Sequence, residues 1–213
     1  MKIKICGLRD PDNIKAVAAL SPDYMGFICY APSPRYVADL PASVLDALPS
    51  DIYKTAVFVN EDEKTISDLI DTFGFDVVQL HGNEDADFAD RLREKATVLK
   101  AFGLHAAFDF SVLNEYEGKV DFFLFDTKTD LHGGSGKTFD WSILNSYNLN
   151  TPFFLSGGLS LDNLHEVQEI QHPMFYGVDL NSKFEIKPGL KDIEKLKEAF
   201  NIIKQQTTNE IRS

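Results

Sequence analysis

Two side chains able to move protons stand at the ends of apolar, strand-like runs. Cys6 closes "IKIC" (3–6) directly before Gly7, and Asp126 closes "DFFLFD" (121–126). A strand-end thiol of lowered pKa is a base or a nucleophile; the plainer reading is a small buried hydrophobe. An unpaired carboxyl in an apolar run costs free energy. Asp126 therefore reads as a general acid of raised pKa, or as a hydrogen-bonding strut for the loop that follows. Arg35 sits in "APSPRY", behind two prolines that stiffen the chain. A guanidinium held that way captures a carboxylate through two parallel hydrogen bonds, or makes a surface ion pair.

Candidates for anion binding lie further along. "SGGL" (156–159) places Gly157 and Gly158 after a strand, and "GVDLNS" (177–182) places Asp179, Asn181 and Ser182 at the end of the next. Glycines let backbone N–H groups approach a phosphate, and a helix start adds partial positive charge. A tight turn is the plainer use of a double glycine. Two adjacent strand ends point to the phosphate, so Gly157, Gly158, Asp179, Asn181 and Ser182 are assigned to it. Gln79 and His81, two apart in "DVVQLH" (76–81), face the same way, into a pocket or a structural hydrogen bond. The second cysteine, Cys29, lies inside "GFICY" and reads as packing. The five histidines show no H-x-x-x-H or H-E-x-x-H spacing, so no metal site is expected. "GGSGKT" (133–138) looks like the end of a nucleotide-binding loop. Leu131 occupies the slot of that motif's first glycine, and a polar stretch separates the segment from its strand, so a glycine-hinged lid is expected instead.

These residues are spaced by a repeating unit. Strand candidates cover 3–6, 24–30, 54–59, 76–81, 97–102, 121–126, 152–157 and 174–180, each rich in Val, Ile, Phe or Tyr and suited to burial on both faces. Helix-like stretches lie between them. One opens with Asp10 as N-cap and Pro11 at the first helical position. Another carries Ile66, Leu69, Ile70 and Phe73 at helical spacing and ends at Gly74. The last places Ile193, Leu196, Ala199, Phe200 and Ile203 on one face. Eight units of about 25–30 residues predict an α/β chain with a single-domain (β/α)8 barrel over 1–205 and a frayed tail over 206–213; the rival is a doubly wound open sheet. In a barrel the active site lies at the C-terminal strand ends, where the candidates above collect.

The chain has 213 residues and a formal net charge of −12. That charge opposes non-specific nucleic-acid binding, yet a few local amides and cations can still hold a small anion. Two cysteines without a C-x-x-C pair fit a reducing compartment. No apolar run approaches the ~20 residues that span a bilayer, and the first residues lack the apolar core of a signal peptide. A cytoplasmic monomer or homodimer acting on a small phosphorylated molecule is expected, with neither nucleic acid nor membrane as partner.

Read in order, "KICG", "GFICYAPSPRYV", "AVFVN", "VQLHG", "FDT…GGSGKTFDW", "FLSGGL" and "GVDLNS" resemble the successive motifs of the phosphoribosylanthranilate isomerases, from Lys2 to about Glu185. The resemblance implies a single (β/α)8 barrel in tryptophan biosynthesis that carries out an Amadori rearrangement without cofactor or metal. Its substrate would be N-(5-phosphoribosyl)anthranilate and its product 1-(2-carboxyphenylamino)-1-deoxyribulose 5-phosphate. It implies Cys6 as general base, Asp126 as general acid, Arg35 as the carboxylate binder, and the loops after the seventh and eighth strands as the phosphate site. Cys29 stands where many members have an aromatic residue, and Lys183 where glycine is common. One rival is another sugar-phosphate isomerase barrel, which would ask for two carboxylates or a Lys with a Glu at the rim. The other is a barrel that binds a phosphorylated metabolite without turning it over.

Overall fold

The computed structural model describes residues 1–37, 39–127 and 140–210, without the side chains of 205–210. The expected lid segment, with Gly133, Gly134, Gly136 and Lys137, lies outside the described residues. Eight parallel strands close into one barrel in sequence order: β1 (Lys2–Ile5), β2 (Tyr24–Ile28), β3 (Tyr53–Phe58), β4 (Val77–Leu80), β5 (Thr97–Leu104), β6 (Phe122–Thr127), β7 (Phe153–Ser156) and β8 (Phe175–Leu180). β1 pairs with β8 through Ile5 and Leu180, so the sheet closes and no edge is left to template aggregation. The closed ring decides against the open sheet.

Local rules account for the connections. Helix α1 (Pro11–Ala18) is capped by Asp10, whose carboxylate accepts the Asn13 N–H at 2.9 Å. After α2 (Ala42–Asp46), helix α3 (Glu63–Phe73) starts under the Asp62 cap and stops at Gly74, whose φ of 60° is left-handed. α4 (Ala86–Leu92) is capped by Asp85. The units after β5 and β6 depart from the expected pattern. They make 3-10 turns at Phe110–Glu115 and Trp141–Ser146, because Ser, Asn and β-branched residues there are weak helix formers. α5 (Leu164–Gln168) follows β7. After β8 come a 3-10 turn (Ser182–Phe184), a small antiparallel hairpin of β9 (Glu185–Lys187) and β10 (Leu190–Lys191), and the closing α6 (Ile193–Glu210). Among the described residues no helix is long and apolar enough to cross a membrane.

Three aspartates fasten the lower rim. Asp23, Asp76 and Asp121 each precede a strand and accept a backbone N–H near the start of the strand before it, from Ile3, Lys54 and Val98, all at 2.8 Å. Tyr24, Val77, Leu99, Leu124 and Phe154 fill the barrel interior together with Phe122 and Tyr176. A larger apolar layer joins the outer strand faces to the helices. Strand β8 carries a register shift: Phe153 pairs with Phe175, but Phe154 pairs with Gly177. The extra residue lets Tyr176 and Asp179, of opposite parity, both enter the barrel.

Candidate active site

The C-terminal strand ends line a cavity of about 560 Å³. All of the expected site residues border it: Cys6, Arg35, Gln79, His81, Asp126, Gly157, Gly158, Asp179, Asn181 and Ser182.

Cys6 stands one residue past β1, with only 4% of its surface exposed. Gly26 on β2 makes room for it, since a Cβ there would stand 2.8 Å from the Cys6 Sγ. The lowered thiol pKa expected from a strand end is not found. Burial pushes the thiol up, and the Lys4 ammonium is the main influence drawing it back. Lys4, of the same parity on β1, is fully buried and donates to Asp179 Oδ2 at 2.9 Å. Asp179, expected at the phosphate, borders the cavity with the other residues assigned there but is engaged by Lys4. The β8 register shift turns its carboxylate toward β1, where it is the counter-ion of Lys4, and a buried carboxylate repels a phosphate.

Asp126, on β6, faces His81 across 3.5 Å, Oδ2 to Nε2. Gln79 Nε2 lies 2.8 Å from His81 Nδ1, so the shared parity read in the sequence produces a Gln79–His81–Asp126 file. In the tautomer in which Nδ1 accepts from Gln79, the ring proton rests on Nε2, the nitrogen 3.5 Å from Asp126 Oδ2. The β6 and β7 ends are tied by Thr127, whose Oγ1 donates to the carbonyls of Ser156 (2.9 Å) and Gly157 (2.8 Å).

Gly157 and Gly158 hold φ of +84° and +64°, which aims the backbone after β7 into the cavity mouth. The helix expected directly after "SGGL" starts only at Leu164, because Asn163 first closes a turn by accepting the Ser160 N–H at 2.9 Å. A short helical turn does begin at Ser182, beside Asn181.

Arg35 packs on Gly7, where a Cβ would meet its Cδ at 2.6 Å and Asn181 Oδ1 at 2.8 Å. Its guanidinium grips Glu185 through Nε (2.9 Å) and Nη2 (2.7 Å). Burial pushes Glu185 up, but hydrogen bonds from Arg35 and Lys191 win and hold it below the ordinary glutamate value. Lys191 Nζ donates to both Glu185 Oε1 and Asn181 Oδ1, each at 2.8 Å. The β9–β10 hairpin thus sets the two sides of the cavity mouth, Arg35 and Asn181, relative to each other.

Lys4, Glu185 and Lys191 were not among the expected site residues. Lys4 had a readable signal, a cation of Cys6 parity within an apolar run. Glu185 and Lys191 had none, since a hairpin this short leaves no periodicity. Cys29 packs against the core as expected, its thiol pushed up to about 12 by burial. Lys100 is engaged by the Gly82 carbonyl (2.7 Å) and by Glu84 (3.1 Å), which makes it structural.

Comparison with known proteins shows the family. The family model described as N-(5'phosphoribosyl)anthranilate (PRA) isomerase matches residues 3–202. N-(5'-phosphoribosyl)anthranilate isomerase from Parabacteroides distasonis is 46% identical over 96% of this chain and 93% of its own length. The protein of that name from Phocaeicola vulgatus is 41% identical over 97% and 99%. Among solved structures, phosphoribosyl anthranilate isomerase from Thermotoga maritima superposes with a TM-score of 0.86 at 32% identity, over 96% of this chain and 99% of that one. A phosphoribosyl anthranilate isomerase in complex with reduced 1-(o-carboxyphenylamino)-1-deoxyribulose 5-phosphate gives 0.84 at 28% identity, again over 96% and 99%. With the motifs, the closed barrel and the family match all spanning the same residues, the chain belongs to the N-(5'-phosphoribosyl)anthranilate isomerase family.

Proposed function

We propose that this protein is the aldose–ketose isomerase that converts N-(5'-phosphoribosyl)anthranilate to 1-(2-carboxyphenylamino)-1-deoxyribulose 5-phosphate in tryptophan biosynthesis. The observation that carries the reading is one cavity with Cys6 and Asp126 on its wall, Arg35 at its β2 side and Gly157, Gly158, Asn181 and Ser182 at its β7–β8 side. A substrate with a carboxylate at one end and a phosphate at the other suits that layout. Anchoring both ends leaves the sugar carbons between the acid and the base, which removes most of the positional freedom the reaction must otherwise overcome.

In this reading Asp126 donates its proton to the furanose ring oxygen, and the C1–O bond breaks to give an open-chain Schiff base. The Cys6 thiolate then takes the proton from C2. The electrons of that C–H bond form the C1–C2 double bond of an enolamine, which tautomerises to the ketone. Asp126 must start protonated and Cys6 deprotonated, and a proton transfer by each contributes ~10²–10⁴ in rate. Gly157, Gly158, Asn181 and Ser182 hold the phosphate; Arg35 holds the anthranilate carboxylate with the guanidinium edge that Glu185 leaves open.

The test is fluorescence-monitored consumption of freshly made phosphoribosylanthranilate. Wild-type turnover with losses of ~10²-fold or more in both Cys6→Ser and Asp126→Asn supports the reading. A folded wild type without turnover would point to a barrel that only binds a phosphorylated metabolite.

A further inference from the structure

The wall behind Cys6 carries charges that the acid–base reading does not use. Lys4 is fully buried on β1 and shares the interior parity of Cys6 two residues on. Its hydrogen-bonded carboxylate partner is Asp179 of β8, at 2.9 Å through Oδ2, while Asp179 Oδ1 is buried and has no hydrogen-bond partner among the described residues. Lys191 from β10 and Arg35 from the loop after β2 also act on the thiol, and Glu185 from β9 joins Lys191 to Arg35. His81 after β4 and Asp126 on β6, which starts protonated in the reading above, share the cavity wall, and β2 contributes the uncharged Ile28 to it and Gly26 beside the thiol. The fixed charges are therefore Lys4, Lys191 and Arg35 against Asp179 and Glu185, an excess of one positive charge. Burying such an excess is costly unless an anion completes it.

We propose that Lys4 is an electrostatic positioning residue whose ammonium, shared between Asp179 and Cys6, supplies the counter-charge for the Cys6 thiolate. The proposal rests on Cys6 being the base. Cys6 releases its proton to solvent through the cavity, Lys4 keeps its own, and the cluster of Lys4, Asp179, Lys191, Glu185, Arg35 and Cys6 becomes neutral. Burial opposes that ionisation, Lys4 lessens the opposition, and the thiolate once formed takes the C2 proton. Lys4 touches no reacting atom in this scheme; Asp179 holds it in place and tempers its charge. Burial drives the thiol upward and Lys4 is the largest influence against that, as the geometry requires.

The two partners of the ion pair should act on Cys6 with opposite sign, and a purely structural pair would not do this. The chain has two cysteines, so Cys29→Ser leaves Cys6 as the sole thiol. In that background thiolate absorbance near 240 nm, corrected for tyrosinate at 295 nm, is titrated without substrate. Lys4→Met is expected to move the Cys6 midpoint up by about one pH unit or more, and to cut iodoacetamide alkylation at pH 8 by about tenfold. Asp179→Asn is expected to move the midpoint down. The rising limb of kcat/KM against pH should follow the same two directions. If Lys4→Met does not fold, the downward shift in Asp179→Asn remains the test. An unmoved midpoint in Lys4→Met, or shifts of one sign in both variants, would overturn the proposal. If Cys6→Ser keeps full turnover, the base assignment fails, and the titration still reports on Lys4 separately.

Discussion

The backbone of Gly157 lies against the carboxylate of Asp126: a Cβ on Gly157 would stand 2.6 Å from Asp126 Oδ1 and 2.2 Å from the Thr127 carbonyl oxygen. One glycine therefore serves both the acid and the start of the loop assigned to the phosphate. Gly157→Ala is expected to destabilise the protein by about 2–3 kcal/mol, from positive φ plus the clash, and to lower kcat/KM by more than tenfold through displacement of Asp126. Gly158→Ala, which meets open space, is expected to cost only about 1–2 kcal/mol and to raise KM more than it lowers kcat. Urea unfolding and steady-state kinetics on both variants check this. Equal effects of the two substitutions would remove the special place given to Gly157.

Gly26 performs a similar service for Cys6. Gly26→Ala is expected to fold, with a loss of about 1–3 kcal/mol from overpacking, and to lower kcat while KM changes little. A variant with unaltered kcat would mean that the Cys6 thiol tolerates displacement.

Glu185 gives a pH signature. Its folded pKa lies below the ordinary glutamate value of 4.5, so its contribution to stability is present above that value and is lost as pH falls through the folded pKa. Glu185→Gln is expected to be less stable than wild type by about 1.5–3 kcal/mol at pH 7, with the gap closing below about pH 4.5. Thermal melts across pH 3–7 read this directly. A gap that stays constant with pH would show that the carboxylate charge is not the source.

His81 faces Asp126 from β4. His81→Ala is expected to reduce kcat by about tenfold or more with KM little changed, since the ring touches the acid and lies away from the carboxylate and phosphate anchors. A change confined to KM would place His81 on the substrate instead.

Lys100 separates structure from chemistry. Lys100→Met is expected to cost about 3–5 kcal/mol, as breaking a buried ion pair does, and to leave kcat/KM of the folded fraction within about twofold. A large loss of kcat in a stable variant would assign Lys100 a part in the reaction.

Much of the architecture is visible in the chain itself, because a βα repeat writes its period into composition. Apolar runs of strand length recur with caps such as Asp10, Asp62 and Gly74 between them, and these are local rules that need no neighbour to operate. The site candidates were legible for a related reason. In a barrel the C-terminal strand ends meet at one rim, so Cys6, Asp126, Gly157 and Asn181 could be grouped by their place in the repeat alone. The 3-10 turns after β5 and β6 were less legible, since weak helix formers only lose the helix once packing offers another solution.

Tertiary structure decided the electrostatics. Whether a thiol is raised or lowered depends on what surrounds it in space, and Cys6 is surrounded by the barrel wall, a fully buried lysine and that lysine's carboxylate from the far end of the chain. Asp179 shows the limit most directly. Its residue type and position at a strand end suggested the phosphate, but a single extra residue in β8 turned it toward Lys4. The β9–β10 hairpin likewise brings Glu185 onto Arg35, across 150 positions of sequence. Residue types and their spacing determined which groups reach the rim; the closed barrel alone determined which of them face one another, because a charge takes its pKa and its partner from distance in space and not along the chain.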